Sequence, residues 1–556
     1  MRPDGLACLV GSCVTGLAST RLTRLMQRRS ASLQRIHLPA VLGGVRVLPI
    51  LRRARLPAVL VAVCALPILL YIPFLHEPFE RDEGFYATVA QLLLRGDLPY
   101  RDGFENKPPL VFGWYALSFL IFGQHVWAPR LVAAVLQSAT TLLVYVQGRL
   151  LFSGREALLA ALAFALSIGV ARFQTNANTE YFMLLPLVAG LVTFTLGHQT
   201  GRLWWFLLSG VLNGIAIMTK QVSVFNLGFL VLWTLYPAWR RGDLDRRHVA
   251  SVALLLAGCS LVAALTVLPF LVLGAFGDFW DATVVFTLQS VGERSTLERV
   301  IDVAVRPVFP FVIAGPWMAL SLLGCIYLMR GGENRWGWLL AGWLAAAAIS
   351  IAFVGRYFPH YYAHLLPGLS LMAPLGVRFL RNRWQVAPVR AGAFILLVGA
   401  LVAGAIAVNG QVYLHDSVDA RHLSKFAGDS GRREIESPAL ARYIADNTSP
   451  DDRIYNLGFE SELYFYAHRR PATRYLHDLP FVADYSRVEK ALEDLKEAPP
   501  VFVIDSARYE IRRDSYDRSG FDQFLADRYE YLGKMYYADI YRLKEEAGSD
   551  SSPSQY

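Results

Sequence analysis

From Pro57 to Val408 the chain alternates long apolar runs with short polar ones, and runs such as Pro57–Leu75, Ser251–Leu273 and Ala391–Val408 recur throughout. Each is roughly 16–25 residues long, the length a helix needs to cross the hydrocarbon core of a bilayer. The pattern predicts about eleven spans, near 57–75, 127–148, 157–173, 179–197, 203–219, 222–237, 249–273, 309–329, 336–354, 363–380 and 391–409. Loop charge sets their direction. The loops after the even-numbered spans are short and basic, with Arg149 and Arg155, Arg202, Arg240, Arg241, Arg246 and Arg247, Arg330 and Arg335, then Arg378, Arg381, Arg383 and Arg390. Short basic loops stay on the cytoplasmic side, so the odd number of spans puts the chain's two ends on opposite faces.

The remaining loops differ in length and sign. Glu77–Lys107 and Gly277–Arg306 are long and acidic, the latter carrying Asp278, Asp281, Glu293 and Glu298. Within the first, Asp82–Leu94 spaces Phe85, Val89, Leu92 and Leu93 on one helical face, as in a helix lying along a membrane surface. Leu110–Phe122 reads as a second such element. After Gly410 the pattern turns to that of a soluble α/β domain: a helix from Ser437 to Asn447, a strand Arg453–Leu457, a helix Val488–Leu495 and a strand Pro500–Asp505. The expected fold is thus a polytopic α-helical membrane protein with a small extracytoplasmic α/β domain. Its divisions are a basic cytoplasmic segment 1–56, a membrane domain 57–410 with an extracytoplasmic loop 77–108, the α/β domain 411–545 and a tail 546–556.

Composition supports this class: 54% of the 556 residues are hydrophobic and 18% charged. A net charge of +9 would suit a nucleic-acid partner, but the basic residues are scattered between apolar runs rather than gathered on one surface. Ten arginines and one acid, Asp4, fill the first 55 residues, as befits a cytoplasmic flank. The basic residues follow the weakly apolar Gly5–Thr20 stretch instead of preceding it, the wrong order for a cleaved signal peptide. Met26 is an alternative start. The five cysteines avoid the long hydrophilic stretches, so no disulfide framework is expected there.

Chemistry concentrates in the first acidic loop. It opens Glu80-Arg81-Asp82-Glu83-Gly84 and closes Glu105-Asn106-Lys107-Pro108-Pro109-Leu110. A carboxylate on a surface helix can serve as general base toward a hydroxyl or amine, and a lysine before two prolines sits on a rigid segment suited to a phosphate. Two further points lie on the same face. Asn176-Ala177-Asn178-Thr179-Glu180 sets a carboxylate one turn into a span, a costly position unless it faces a polar cavity. Gly355-Arg356-Tyr357-Phe358-Pro359-His360-Tyr361-Tyr362 combines an arginine's planar fork of donors with aromatic rings. His360 and His364 have the spacing of metal ligands but lack the intervening glutamate of a zinc motif. Asp243-Leu244-Asp245 resembles the acidic triplet of nucleotide-sugar transferases, yet it lies in a basic cytoplasmic loop and is taken as fortuitous.

The run Arg81-Asp82-Glu83-Gly84-Phe85-Tyr86, with Gly96-Asp97-Leu98-Pro99-Tyr100, Lys107-Pro108-Pro109-Leu110, Phe122-Gly123 and Ala128-Pro129-Arg130-Leu131, resembles the polyprenyl-phosphate-sugar glycosyltransferases of the glycosyltransferase C superfold. That group includes protein O-mannosyltransferases and lipid A aminoarabinose transferases, and the likeness covers roughly residues 57–380. The resemblance implies Asp82 as base with Glu83 as helper, and Lys107, Arg356, Tyr357 and Lys220 at the donor phosphate. It further implies Glu180, Asn178, Glu105, His360 and Tyr361 at the substrates. The expected partners are a polyprenyl-phosphate-linked sugar, membrane lipids and an acceptor glycan, lipid or protein. No nucleotide and no cofactor is called for, while a divalent metal stays open. A polytopic transporter or lipid flippase is the rival reading, since isolated polar residues among spans also mark carriers.

Overall fold

The computed structural model describes residues 57–170, 175–292, 308–331, 335–355, 357–383, 410–426, 428–509 and 516–544, with isolated positions at 399, 403 and 407. Helices fall on the first ten predicted apolar segments: α1 Pro57–Tyr71, α4 Trp127–Leu151, α5 Gly154–Val170, α6 Thr179–Thr200, α7 Trp204–Thr219, α8 Val224–Arg241, α9 Arg246–Val272, α10 Val308–Met329, α11 Arg335–Val354 and α12 Leu366–Arg383. Between the first two lie α2 Arg81–Leu94 and α3 Leu110–Phe122, where surface helices were expected, but every residue of α2 from Glu83 to Leu92 is buried in the protein. The eleventh segment, 391–409, lies almost wholly outside the described residues, as do 1–56, Arg356, Glu293, Glu298 and the tail. Among the described residues six helices are long and apolar enough to cross a membrane, from Trp127–Leu151 to Pro359–Asn382.

Small residues let these helices approach by their backbones. A Cβ on Gly210 of α7 would collide with the Leu255 carbonyl of α9, and one on Gly258 of α9 with the Leu207 carbonyl. Close backbone approach maximises dispersion contacts where lipid tails remove the hydrophobic drive between helices. The acidic triplet is structural as well: Asp245 caps α9 by accepting from Arg247 N and His248 N, both at 3.0 Å.

The C-terminal part follows α13 Val418–Lys425 and α14 Asp429–Asp446 with a five-stranded sheet ordered β2-β1-β3-β5-β4. Strands β1 Arg453–Leu457, β2 Arg470–Pro471 and β3 Phe502–Asp505 run parallel, and β4 Tyr529–Met535 and β5 Ala538–Leu543 add an antiparallel hairpin. Ile454–Leu457 of β1 and all of β3 are buried on both faces, as parallel strands covered by helices must be. Helices α15 Glu462–Ala467 and α16 Ser486–Glu497 complete the layer.

This layer is packed on the first acidic loop, and Val59–Tyr556 form one compact unit. Helix α15 lies against α2 at Gly84, whose missing side chain admits it: a Cβ there would stand 2.8 Å from Glu462 Cβ. Hydrogen bonds from Thr88 Oγ1 to the Ser461 carbonyl, 2.8 Å, and from Phe79 N to Tyr466 Oη, 2.9 Å, stitch the same seam. Glu462 itself is buried beside Glu460, and burial first, then that neighbour, pushes its carboxyl up to about 8. Between the usual carboxylate range and pH 8 the native chain therefore holds a proton the unfolded chain has lost. Stability should fall as pH rises through that window and level off above it. In thermal melts of the purified protein, Glu462→Gln, which stays neutral, should flatten the fall; an unchanged slope would place the titration elsewhere.

Candidate active site

Helix α2 begins with a reciprocal cap, Glu80 N donating to Glu83 Oε2 at 3.2 Å while the Glu80 side chain accepts from the Glu83 backbone. The carboxylate of Glu83 is completely buried and fully engaged. Arg130 of α4 pairs with it through two nitrogens, one at 2.9 Å, and Ala177 N donates to it at 2.7 Å. The same guanidinium donates to the carbonyls of Phe74, Glu77 and Pro78 at 3.1, 2.5 and 2.8 Å. One arginine thus fixes the chain on both sides of the Asp82 turn. Asp82, the next residue, points the other way: its side chain is 31% exposed and faces His360 Nε2 at 3.8 Å.

Lys107 approaches from the far end of the loop. Tyr100 holds its segment, donating from Oη to the Lys107 carbonyl at 2.8 Å from a backbone with φ of +72°. The Lys107 ammonium donates to Asn106 Oδ1 at 2.8 Å and Glu105 Oε1 at 3.3 Å, with the Tyr86 ring 5.9 Å away. Burial alone would lower this ammonium, but Glu105 and Asp82 outweigh it and raise it above its usual range. Burial would likewise raise Glu105, yet Lys107 and His477, whose Nε2 lies 3.8 Å off, hold it down to about 2. Both groups are therefore charged across the physiological range. A second buried pair, Glu180 with Lys220, stands nearby, and Lys220 Nζ lies 4.1 Å from the centre of the Tyr361 ring.

Two cavities open on these residues. One of about 240 Å³ has Lys107, Lys220, Glu180 and Tyr361 at its polar end and Met183, Val224, Phe225, Ile351, Phe353 and Val354 along its walls. An apolar slot ending in two ammonium groups suits an anionic head on a hydrocarbon tail. The other, about 260 Å³, is lined by Glu80, Asp82, Asn178, His360, Phe358 and Phe426 among others. Asp82, Asn178 and His360 thus line one cavity, and Lys107, Lys220, Glu180 and Tyr361 the other. Glu83 and Glu105 stand behind them in ion pairs, Tyr357 adopts φ of +49°, and Arg356 is outside the described residues. His364 also lines the first cavity and is held by hydrogen bonds, within 2.8 Å of Asn226 Oδ1 and 3.1 Å of Ser350 Oγ. Among the described residues no group of three or more His, Cys, Asp or Glu could hold a metal ion.

Sequence reasoning assigned no role to Arg130 or to the buried cluster behind α2. There Lys425 of α13 pairs with Glu77 at 2.5 Å and donates to Asn176 Oδ1 at 2.9 Å, while His422 Nε2 meets Glu434 Oε2 at 2.6 Å. A lone arginine inside the apolar run 127–148 was the available signal for the first. Lys425 and His422, in a polar helix, carried none.

A family model described as dolichyl-phosphate-mannose-protein mannosyltransferase matches residues 106–272. An uncharacterized protein of Aquifex aeolicus (strain VF5) is 27% identical over 328 residues, 57% of this chain and 71% of its own. The undecaprenyl phosphate-alpha-4-amino-4-deoxy-L-arabinose arabinosyl transferase 1 of Pseudomonas fluorescens (strain Pf0-1) is 26% identical over 213 residues, 36% of each chain. The crystal structure of ArnT from Cupriavidus metallidurans bound to undecaprenyl phosphate superposes with a TM-score of 0.57 at 16% identity, covering 88% of this chain and 98% of that one. The chain is therefore a multi-pass membrane protein with the glycosyltransferase C fold.

Proposed function

We propose that the protein transfers a sugar from a polyprenyl-phosphate carrier to an acceptor on the extracytoplasmic face of the membrane, by a single inverting displacement that uses no nucleotide. The observation that carries this reading is the pairing of an accessible carboxylate, Asp82, with an apolar slot ending in Lys107 and Lys220. The fold shared with a protein solved with undecaprenyl phosphate supports it, as does similarity to a relative named an arabinosyl transferase.

The acceptor's oxygen forms a bond to the anomeric carbon as its proton passes to Asp82. The bond from that carbon to the phosphate oxygen breaks, and its electron pair stays on the polyprenyl phosphate. The added charge meets Lys107 and Lys220, with Arg356 and Tyr357 as further phosphate ligands. Fixed cations stabilise that leaving group more in the transition state than in the bound donor, which is what accelerates the step. Glu180 and Tyr361 line the donor sugar's surroundings, while His360 and Asn178 line the second cavity with Asp82. Glu105 keeps Lys107 charged, and Glu83, sealed by Arg130, orients Asp82.

Lys107→Gln removes one of the two ammonium groups at the end of the slot. It should weaken binding of an undecaprenyl-phosphate sugar by roughly tenfold or more, the scale of a lost charge-assisted hydrogen bond. Equilibrium binding to the purified protein reads this directly, and unchanged affinity would move the phosphate away from Lys107. The N-terminus is assigned to the cytoplasm of a bacterial-type inner membrane and the sheet to the opposite side. A single cysteine at Lys490 should react with an impermeant thiol reagent in intact cells while one at Asp243 stays silent; the reverse would invert the topology.

A further inference from the structure

The proposed displacement places the donor in the 240 Å³ slot and leaves the 260 Å³ cavity lined by Asp82 without an occupant. Two of its lining residues are about nine-tenths buried or more, Glu80 at 9% exposure and Asn178 at 2%, and Glu80 Oε1 and Asn178 Oδ1 have no hydrogen-bond partner among the described residues. Buried oxygens of this kind call for a donor. Burial first, then Asp82, Glu83 and Glu434, push the Glu80 carboxyl above the carboxylate range, against a hydrogen bond from Asn178 that lowers it. A phosphate or carboxylate would face Asp82 and Glu434, and the guanidinium in the same lining, Arg81, lies over the Phe459 ring at 4.6 Å. The remaining wall includes the rings of Phe358 and Phe426 and Pro359. Hydrogen-bonding oxygens facing apolar rings, in room for a single small ring, match a sugar's polar edge and apolar C–H face.

We propose that this cavity is the acceptor subsite and takes one ring of an uncharged saccharide, a hydroxyl of which faces Asp82. Glu80 and Asn178 fix the orientation of that ring through its other hydroxyls. The word acceptor rests on the transferase reading; the saccharide site does not, because it is read from the cavity alone.

The test uses the full-length protein in lipid nanodiscs, free of sugar detergents, with no donor present. The probe is a methyl glycoside bearing a photoreactive diazirine, and labelled peptides are mapped by mass spectrometry. Labelling is expected on segments 176–178 and 426–434. Asn178→Ala should lower it roughly 5–10-fold, the scale of one lost hydrogen bond. Should Asn178→Ala melt early, Ser430→Trp, which fills the cavity from its half-buried rim, supplies the second loss-of-labelling variant. Labelling elsewhere, labelling indifferent to both variants, or equal competition by N-acetylserine amide would overturn the proposal, the last in favour of a peptide hydroxyl. Specific labelling of a protein that turns over no polyprenyl-phosphate sugar would uphold the saccharide site and remove only the transferase reading.

Discussion

Asp82→Asn should lower turnover by roughly 10²–10⁴-fold, the range spanned by lost general acid–base catalysis, while leaving the protein folded and the donor bound. The asparagine keeps the shape and one acceptor oxygen but no longer takes a proton. The fold is indifferent to the change because Asp82 is partly exposed, and the capping and ion pairing of its helix are carried by Glu80, Glu83 and Arg130. Donor affinity should persist because the slot that ends in Lys107 and Lys220 is formed by other residues. Turnover and affinity measured separately on the same preparation decide the matter. Near-normal turnover would remove Asp82 as base and leave Glu180 as the next carboxylate at the cavities.

Arg130→Met should destabilise the protein by about 3–5 kcal/mol, the scale of breaking a buried ion pair by removing one partner. The guanidinium is 1% exposed and satisfies Glu83 together with carbonyls of the chain that leads into α2, among them those of Phe74, Glu77 and Pro78. Methionine fills much of the volume and none of the charge, so Glu83 would be left ionised in a dry site. Adding Glu83→Gln removes the stranded charge and should recover part of the loss, since neighbouring sites of this kind do not add. Denaturant unfolding in detergent reads both. A double variant no more stable than Arg130→Met would show that the carbonyl contacts, rather than the ion pair, carry the effect.

Much of this was legible in the sequence, and the reasons are physical. Membrane helices announce themselves because a span must be apolar along its whole length, which is why segments such as 203–219 and 249–273 fall on α7 and α9 within a few residues. The strands β1 and β3 were readable as short apolar runs. The β4–β5 hairpin was not, since it turns at Tyr536 and Tyr537 with φ of +53° at Tyr536 and lacks the glycine or asparagine that usually marks such a turn. Within the site, Asp82, Lys107 and Glu180 stood out as charges at span ends. Their grouping around two cavities depends on contacts across long separations, such as Glu180 with Lys220 and Glu83 with Arg130, which no local pattern encodes. The direct packing of the C-terminal layer on α2 was equally hidden, because it turns on one missing side chain at Gly84.

The proposed donor is a polyprenyl-phosphate sugar whose carrier departs as the leaving group. Purified protein in nanodiscs, supplied with membrane extract as acceptor and a radiolabelled pool of undecaprenyl-phosphate-linked hexoses and pentoses, tests it by counting two products, transferred sugar and free undecaprenyl phosphate. One undecaprenyl phosphate should be released per sugar transferred, both products should be lost in Asp82→Asn, and nucleotide sugars should give no transfer. Transfer from a nucleotide sugar without release of undecaprenyl phosphate would contradict the proposal.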